Sequence, residues 1–272
     1  MVTDDWKPTR FKRFIRAVET STGPAEIMTD AGRAYLKALG NAEGPQVLAA
    51  EWIGTSMADY LGLRTFALAQ MQVAADDVIP LGKDRMAEAG TAIALRAEPG
   101  TSWQGSPKEL EATVNVTDVG RLIVLDTWLL NCDRFSPSGS DRKPNPDNVF
   151  LSSLAAPPGQ FFLTAFDHTH CFACGRTLTA RLADIGNVKD GRIYGRFPVF
   201  DSYLDRDAVR DAVARLGSVD RLWVEEVVGQ LPAEWEVPPP VRQAIIELLV
   251  GRATFLSASI EGQLFSGTGG QS

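Results

Sequence analysis

The sequence predicts an α+β chain, with an antiparallel, hairpin-rich N-terminal part followed by a mainly helical part. Short runs separated by turn residues fill 11–39 and return at 65–73 and 91–96, the pattern of paired strands. From residue 118 onward longer segments with helical apolar spacing dominate. A third observation is an ordered series of polar groups, Asp133-Arg134, Asn148 and Asp167, each at the edge of an apolar segment. The 272 residues suffice for one large domain or two lobes.

Composition narrows the function classes. The chain is 44% apolar, so neither disorder nor a fibre is indicated. Its net charge is −7 and its basic residues are scattered, which argues against nucleic-acid binding by bulk electrostatics. No apolar run reaches membrane-spanning length, and Asp4 and Asp5 stand where a signal peptide needs an apolar core. Three cysteines, an odd number, predict no disulfide framework. The expectation is a reduced, cytoplasmic protein.

The first strand is expected at 14–18, the second at 25–29 and the third at 33–39, with turns at 20–24 and 30–32. Lys37 lies in the third, three residues before Gly40. It reads either as a solvated edge residue or as a functional cation. Gly44-Pro45 opens a helix with proline in its first turn. Leu48, Trp52, Met57, Tyr60 and Leu61 line much of one side, and Gly62 stops it. Glu51, at the edge of that face, is either an ordinary exposed residue or an ion-pair partner for Lys37, fourteen residues earlier. The turn at 20–24 holds Ser21, Thr22 and Gly23, whose hydroxyls and amides suit phosphate oxygens; a plain hairpin turn accounts for it equally well.

After the strand at 65–73, residues 74–88 read as an irregular excursion. The strand at 91–96 ends at a break over 97–100, the predicted boundary between an N-terminal unit, 1–97, and a helical unit, 98–265. Residues 101–117 read as a loop with a short helix. The helix at 118–130 is apolar nearly all round and hence buried. Asp126 within it needs partners, expected among backbone amides of the following loop. Beyond Asp167 the stretch 177–190 is mixed, and helices are expected at 207–216, 219–229 and 241–257, interrupted by Pro232 to Pro240. The tail, 266–272, reads as disordered, and no internal repeat is present.

The polar series has a chemical meaning. Phosphoryl transfer from ATP requires a carboxylate for the attacking hydroxyl, and an amide oxygen plus a second carboxylate for magnesium. Protein kinases place the Asn five residues after the catalytic Asp and a second Asp one hairpin later. Here Asn148 follows Asp133 by fifteen residues, because a polar insertion rich in Ser, Pro and Gly fills the loop. Asn131-x-Asp133-Arg134, Asn148 followed by Val-Phe-Leu, and Asp167-His-Thr-His170 resemble the HipA-like kinases and, more distantly, the phosphoinositide kinases. Trp235 in its Pro-x-x-Trp linker strengthens the likeness.

That resemblance implies a bilobal protein-kinase-like fold, with a small antiparallel-sheet N-lobe, a mainly helical C-lobe and ATP between them. It implies ATP- and magnesium-dependent transfer of the γ-phosphoryl group to a hydroxyl, a protein Ser or Thr in the related toxins. Asp133 would orient or deprotonate the acceptor, and Asn148 and Asp167 would hold magnesium. Lys37 would contact phosphates with Glu51 holding it, beneath Ser21, Thr22 and Gly23. The break at 97–100 would offer backbone groups to adenine.

Phe135 stands where the family has His, and with the insertion it favours the alternative of a nucleotide-binding pseudokinase. About ten residues precede the strands, where full toxins carry a further subdomain; an antitoxin-type partner therefore has no support from the sequence. In the insertion, Arg142 and Lys143 would contact the acceptor or a phosphate, or Ser136, Ser138 or Ser140 would be modified in cis, or the segment is passive.

Two rival constellations are weaker. His168, His170, Cys171 and Cys174 have zinc-ligand chemistry, but all four crowd one short loop, and the resemblance explains the histidines without zinc. Cys132 reads as a small buried residue. A Ser-His-Asp hydrolase would have to use the chain's two histidines, both beside Asp167, and no serine is marked as their partner.

Overall fold

The computed structural model describes residues 6–20, 22–137 and 142–266. Strands β1 (Phe11–Ala17), β2 (Ala25–Thr29) and β3 (Gly32–Lys37) form a meander. Helix α1 (Gln46–Tyr60) follows, then β4 (Leu68–Val73), a small hairpin of β5 (Pro80–Leu81) and β6 (Arg85–Met86), and β7 (Gly90–Arg96). The five main strands pair antiparallel in the order β1-β2-β3-β7-β4. This puts β3 in the interior of the sheet, with Lys37 opposite Ile93. The excursion at 74–88 is thus not wholly irregular, since Pro80 and Leu81 pair with Met86 and Arg85.

Alternation along the strands sorts side chains between two cores. Ala25, Ile27, Leu36, Met71, Ala92 and Ala94 form a small cluster with Ile79 and Leu81. Ile93 and Leu95, one residue out of phase, join a larger cluster with Leu48, Ile53 and Met57 of α1. Lys37, paired with Ile93 on that second face, therefore points toward α1 and is buried. Helix α1 begins directly after Pro45, its N-cap, and Gly62, at φ +78°, provides the left-handed residue after its end.

Strand β8 (Gly100–Ser102), helix α2 (Pro107–Glu111) and helix α3 (Asp118–Trp128) lead to the polar series. Asn148 closes a single 3-10 turn before β9 (Val149–Ser152), and Asp167 follows β10 (Phe162–Ala165) by two residues. The three strands form a second antiparallel sheet in the order β10-β9-β8. Short α4 (Ile185–Val188) precedes α5 (Arg206–Gly217), α6 (Arg221–Gly229), α7 (Pro239–Ser257) and α8 (Ile260–Phe265). Among the described residues no helix is long and apolar enough to cross a membrane.

Two late residues hold the site's supports. Trp235 is fully buried, and its indole N–H donates to the Thr91 carbonyl at 2.8 Å. Arg252 of α7, also fully buried, donates to the carbonyls of Thr127 and Trp128 at the C-terminus of α3 and to those of Asn187 and Asp190. A cation there satisfies carbonyls that the helix leaves without partners and complements its dipole. α7 buries Val241, Ala244, Ile245, Leu248, Leu249 and this arginine, while Gln243 and Thr254 stay exposed.

Candidate active site

Two positive-φ residues place the reactive groups. Leu130, at φ +52°, ends α3, so that Asn131 N–H returns to the Asp126 carbonyl at 2.9 Å. Asp167, at φ +57°, turns the chain after β10; Asp tolerates this left-handed region better than most residues.

Lys37 Nζ lies 2.9 Å from Glu51 Oε2 and 2.9 Å from Asp167 Oδ1. The helix, the interior strand and the loop after β10 thus meet at one ammonium. Glu51 is fully buried, because α1 lies between the sheet and the helices; the exposed-residue reading is corrected. Its Oε2 also accepts from the His168 backbone N–H at 2.7 Å. Burial disfavours the Lys37 ammonium, but Asp167 and Glu51 outweigh it and raise its pKa. Burial works against the Asp167 carboxylate too, and Lys37, with Thr169 donating to Oδ1 at 2.8 Å, brings its pKa down to about 2.

Asp133 and Asn148 meet as well: Asn148 Nδ2 donates to Asp133 Oδ2 at 2.7 Å. Behind them stands Arg134, fully buried. It donates to the Asn148 carbonyl at 3.0 Å and the Phe166 carbonyl at 2.9 Å, and pairs with Asp126 Oδ1. One guanidinium thereby fixes the residue after Asp133, the backbone of Asn148 and the residue before Asp167. Asp126 binds the side chains of Arg134 and Asn131 through its carboxylate, not the backbone amides expected from the sequence.

His170 enters from the loop after Asp167. Its Nε2 lies 2.7 Å from Glu43 Oε2, and its Nδ1 is 3.0 Å from Asp133 Oδ1, an ion-pair approach without the alignment of a hydrogen bond. These two carboxylates, against some burial, push its pKa up to about 10. Burial, with a smaller contribution from Asp167, would raise the Asp133 pKa, but His170 and Asn148 lower it on balance. His168 differs. It is fully buried against Gly54 of α1, and burial, aided by Arg134 and Lys37, holds it neutral.

Cys132 and Cys174 form a disulfide between the loop after α3 and the loop after Asp167. The expectation of unpaired cysteines, and of Cys132 as a simple core residue, is corrected. An odd count concealed one pair and one buried free thiol, Cys171.

Of the phosphate-loop candidates, Ser21 lies outside the described residues. Thr22 is buried. Gly23, at φ +55°, accepts from the Gly82 N–H at 3.0 Å, and a Cβ on it would come within 2.9 Å of Gly82. The β5–β6 turn therefore backs this loop. In the break after β7, Ala97 N–H donates to the Arg33 carbonyl, and the Pro99 carbonyl accepts from Ser153. Phe135, half-buried, packs against the core with its ring edge-on to Phe197 at 5.0 Å. At the base of the insertion Asn145 N–H reaches the Arg134 carbonyl at 2.9 Å, and Arg142 donates to the Cys174 carbonyl at 2.7 Å. Ser138, Ser140 and Asp141 lie outside the described residues.

No protein-family profile matches the sequence, and no curated protein does. Among solved structures, the Helicobacter pylori proinflammatory kinase CtkA matches with a TM-score of 0.55 at 10% identity, over 93% of this chain and 99% of that one. The mixed α/β architecture, an antiparallel sheet followed by several helices, is thus a kinase-like fold.

Proposed function

We propose that the chain is a kinase that transfers the γ-phosphoryl group of ATP, with magnesium, to a hydroxyl, and that its acceptor is a serine or threonine of a protein. The observation that carries this is the convergence of Lys37, Glu51 and Asp167, beside Asp133 and Asn148, from segments up to 130 residues apart in sequence. The likeness to a kinase fold agrees with it.

The side chains suit Mg·ATP. Asn148 donates its amide N–H to Asp133, so its amide oxygen is what it has to offer a cation. Lys37 and Thr169 both take Oδ1 of Asp167, which leaves Oδ2 for the same purpose. Hard oxygen ligands of this kind suit magnesium. Magnesium bound there would neutralise charge on the β- and γ-phosphates. Lys37 would contact a phosphate oxygen while Glu51 keeps it in place. Asp133 would accept the acceptor's proton as the new O–P bond forms and the bond to the β-phosphate oxygen breaks. The cleft would lie between a sheet-based unit, 1–97, and a helical unit, 98–265.

A nucleotide-binding pseudokinase is the second reading, and one observation favours it: both oxygens of Asp133 already face donors, His170 and Asn148. Incubation with γ-labelled ATP, alone and with a native cell extract, followed by mass spectrometry of labelled species, separates the two. Transfer of label supports the kinase; nucleotide binding with no loss of γ-phosphate supports the pseudokinase.

A further inference from the structure

His170 faces a carboxylate at each ring nitrogen, Glu43 at 2.7 Å and Asp133 at 3.0 Å. A ring nitrogen without its proton would present a lone pair to a carboxylate oxygen, so this geometry calls for protons on both. The three residues come from different places. Glu43 lies just before α1, Asp133 follows α3, and His170 is in the loop after Asp167. The same helix α1 carries Glu51, the partner of Lys37.

Resting on the kinase reading above, we propose that His170 is the positioning residue for Asp133, an imidazolium that holds the catalytic carboxylate and ties it through Glu43 to the start of α1. One segment of chain, α1 and the turn before it, then sets both ends of the reaction. Glu51 places the lysine that meets the phosphates, and Glu43, through His170, places the carboxylate that meets the acceptor hydroxyl. The other charged groups near the ring are Asp167, on its own loop, and Arg142, whose guanidinium is 3.8 Å from Asp133. Gly175 closes over the ring, and a Cβ there would stand 3.2 Å from it. Asn148 fixes the second Asp133 oxygen. With both oxygens directed, the carboxylate has one orientation, and a positioned general base depends on that.

The chain has two histidines, which makes the test direct. Long-range 15N spectra of the full-length protein should show one neutral imidazole, His168, and one protonated on both nitrogens at pH 8, His170. Glu43→Gln should lower the His170 titration midpoint by more than one pH unit while leaving His168 unmoved. With labelled ATP, His170→Gln should lower transfer by about tenfold or more, within the range for loss of a positioned acid–base group. Mg·ATP affinity, by calorimetry, should stay within about twofold. Glu43→Gln should cause a smaller loss in the same direction.

A His170 that titrates near the ordinary histidine value, or a His170→Gln protein that transfers phosphate at the wild-type rate, would overturn the proposal. Loss of ATP affinity in parallel with transfer would also overturn it, since that is the mark of a merely structural role. A wild-type protein that transfers no phosphate at all would remove the kinase reading, and the bridge is then decided by the imidazole spectra alone.

Discussion

Asp126 and Asp133 lie seven residues apart in one stretch of chain, yet their surroundings are opposites. Asp126 is fully buried, and its carboxylate holds Arg134 and Asn131 of the loop after α3. Asp133 is one-fifth exposed and faces groups from three other segments, Asn148, His170 and Arg142. The first environment is dry and fixes a backbone through Oδ1 of Asp126, while Oδ2 has no hydrogen-bond partner among the described residues. The second gathers charges that solvent can reach. A dry network of buried hydrogen bonds rigidifies; a partly open one can exchange a protein partner for a ligand.

The sharpest way to break this contrast is at its buried end. Arg134→Met removes the guanidinium and leaves Asp126 charged and unpaired, and should cost about 3–5 kcal/mol of stability by urea denaturation. An unchanged midpoint would mean that the network around Arg134 does not hold the loop. Next is the covalent tie at the border of the two regions. Titration of unreduced, denatured protein with a thiol reagent should find one free thiol, that of Cys171. Reduction should cost about 2–4 kcal/mol.

At the open end, effects should fall on function. Asp133→Ala should leave Mg·ATP affinity nearly intact and lower transfer by about a hundredfold. Asp167→Asn should abolish magnesium-dependent ATP binding itself, because a two-ligand site loses its negative charge and with it its hold on a hard cation; calorimetric titration of Mg·ATP distinguishes the two patterns. Replacing 136–144 with two glycines should keep ATP binding and lower transfer by roughly tenfold, through loss of the Arg142 contact near Asp133. Wild-type transfer from the shortened protein would make the insertion passive.

The smallest expected effect concerns pH. An unfolded histidine has a pKa of about 6.5, whereas folded His170 holds its proton up to about 10. Its contribution is complete below the first value and is lost as pH rises toward the second. His170→Gln should flatten that limb of the stability profile, measured by urea denaturation at intervals between pH 6 and 10.

Much of the candidate site was legible in the sequence because phosphoryl transfer calls for particular residue types. Lys37, Glu51, Asp133, Asn148 and Asp167 could be picked out by type and order before any contact was known. Ordered short runs also located the strands, since alternation is local. What the sequence concealed depends on long-range packing. Glu51 could be read either as exposed or as the partner of Lys37, because no local pattern reveals that α1 is covered on both sides. The roles of Arg252 and His170 rest on partners more than a hundred residues away, Trp128 and Glu43. The Cys132–Cys174 pair was missed because parity argues about frameworks and says nothing of one bond between two loops that cross. The adjacency of Cys132 to Asp133, and of Cys174 to the Asp167 loop, was the available signal.

That bond also has a topological effect. Asp133, Asn148, Asp167 and His170 all lie between Cys132 and Cys174, so the chain from one sulfur to the other is a closed loop that contains them all. A protease cutting after Arg142 would open that circle without parting its ends. The cut chain would migrate as two pieces only after a thiol is added, and Asp133 would stay tethered to the segment that carries Asn148 and Asp167. On the kinase reading, continuity of backbone between Asp133 and the segment that carries Asn148 and Asp167 would then be dispensable, and a nicked protein that still transfers phosphate would show it.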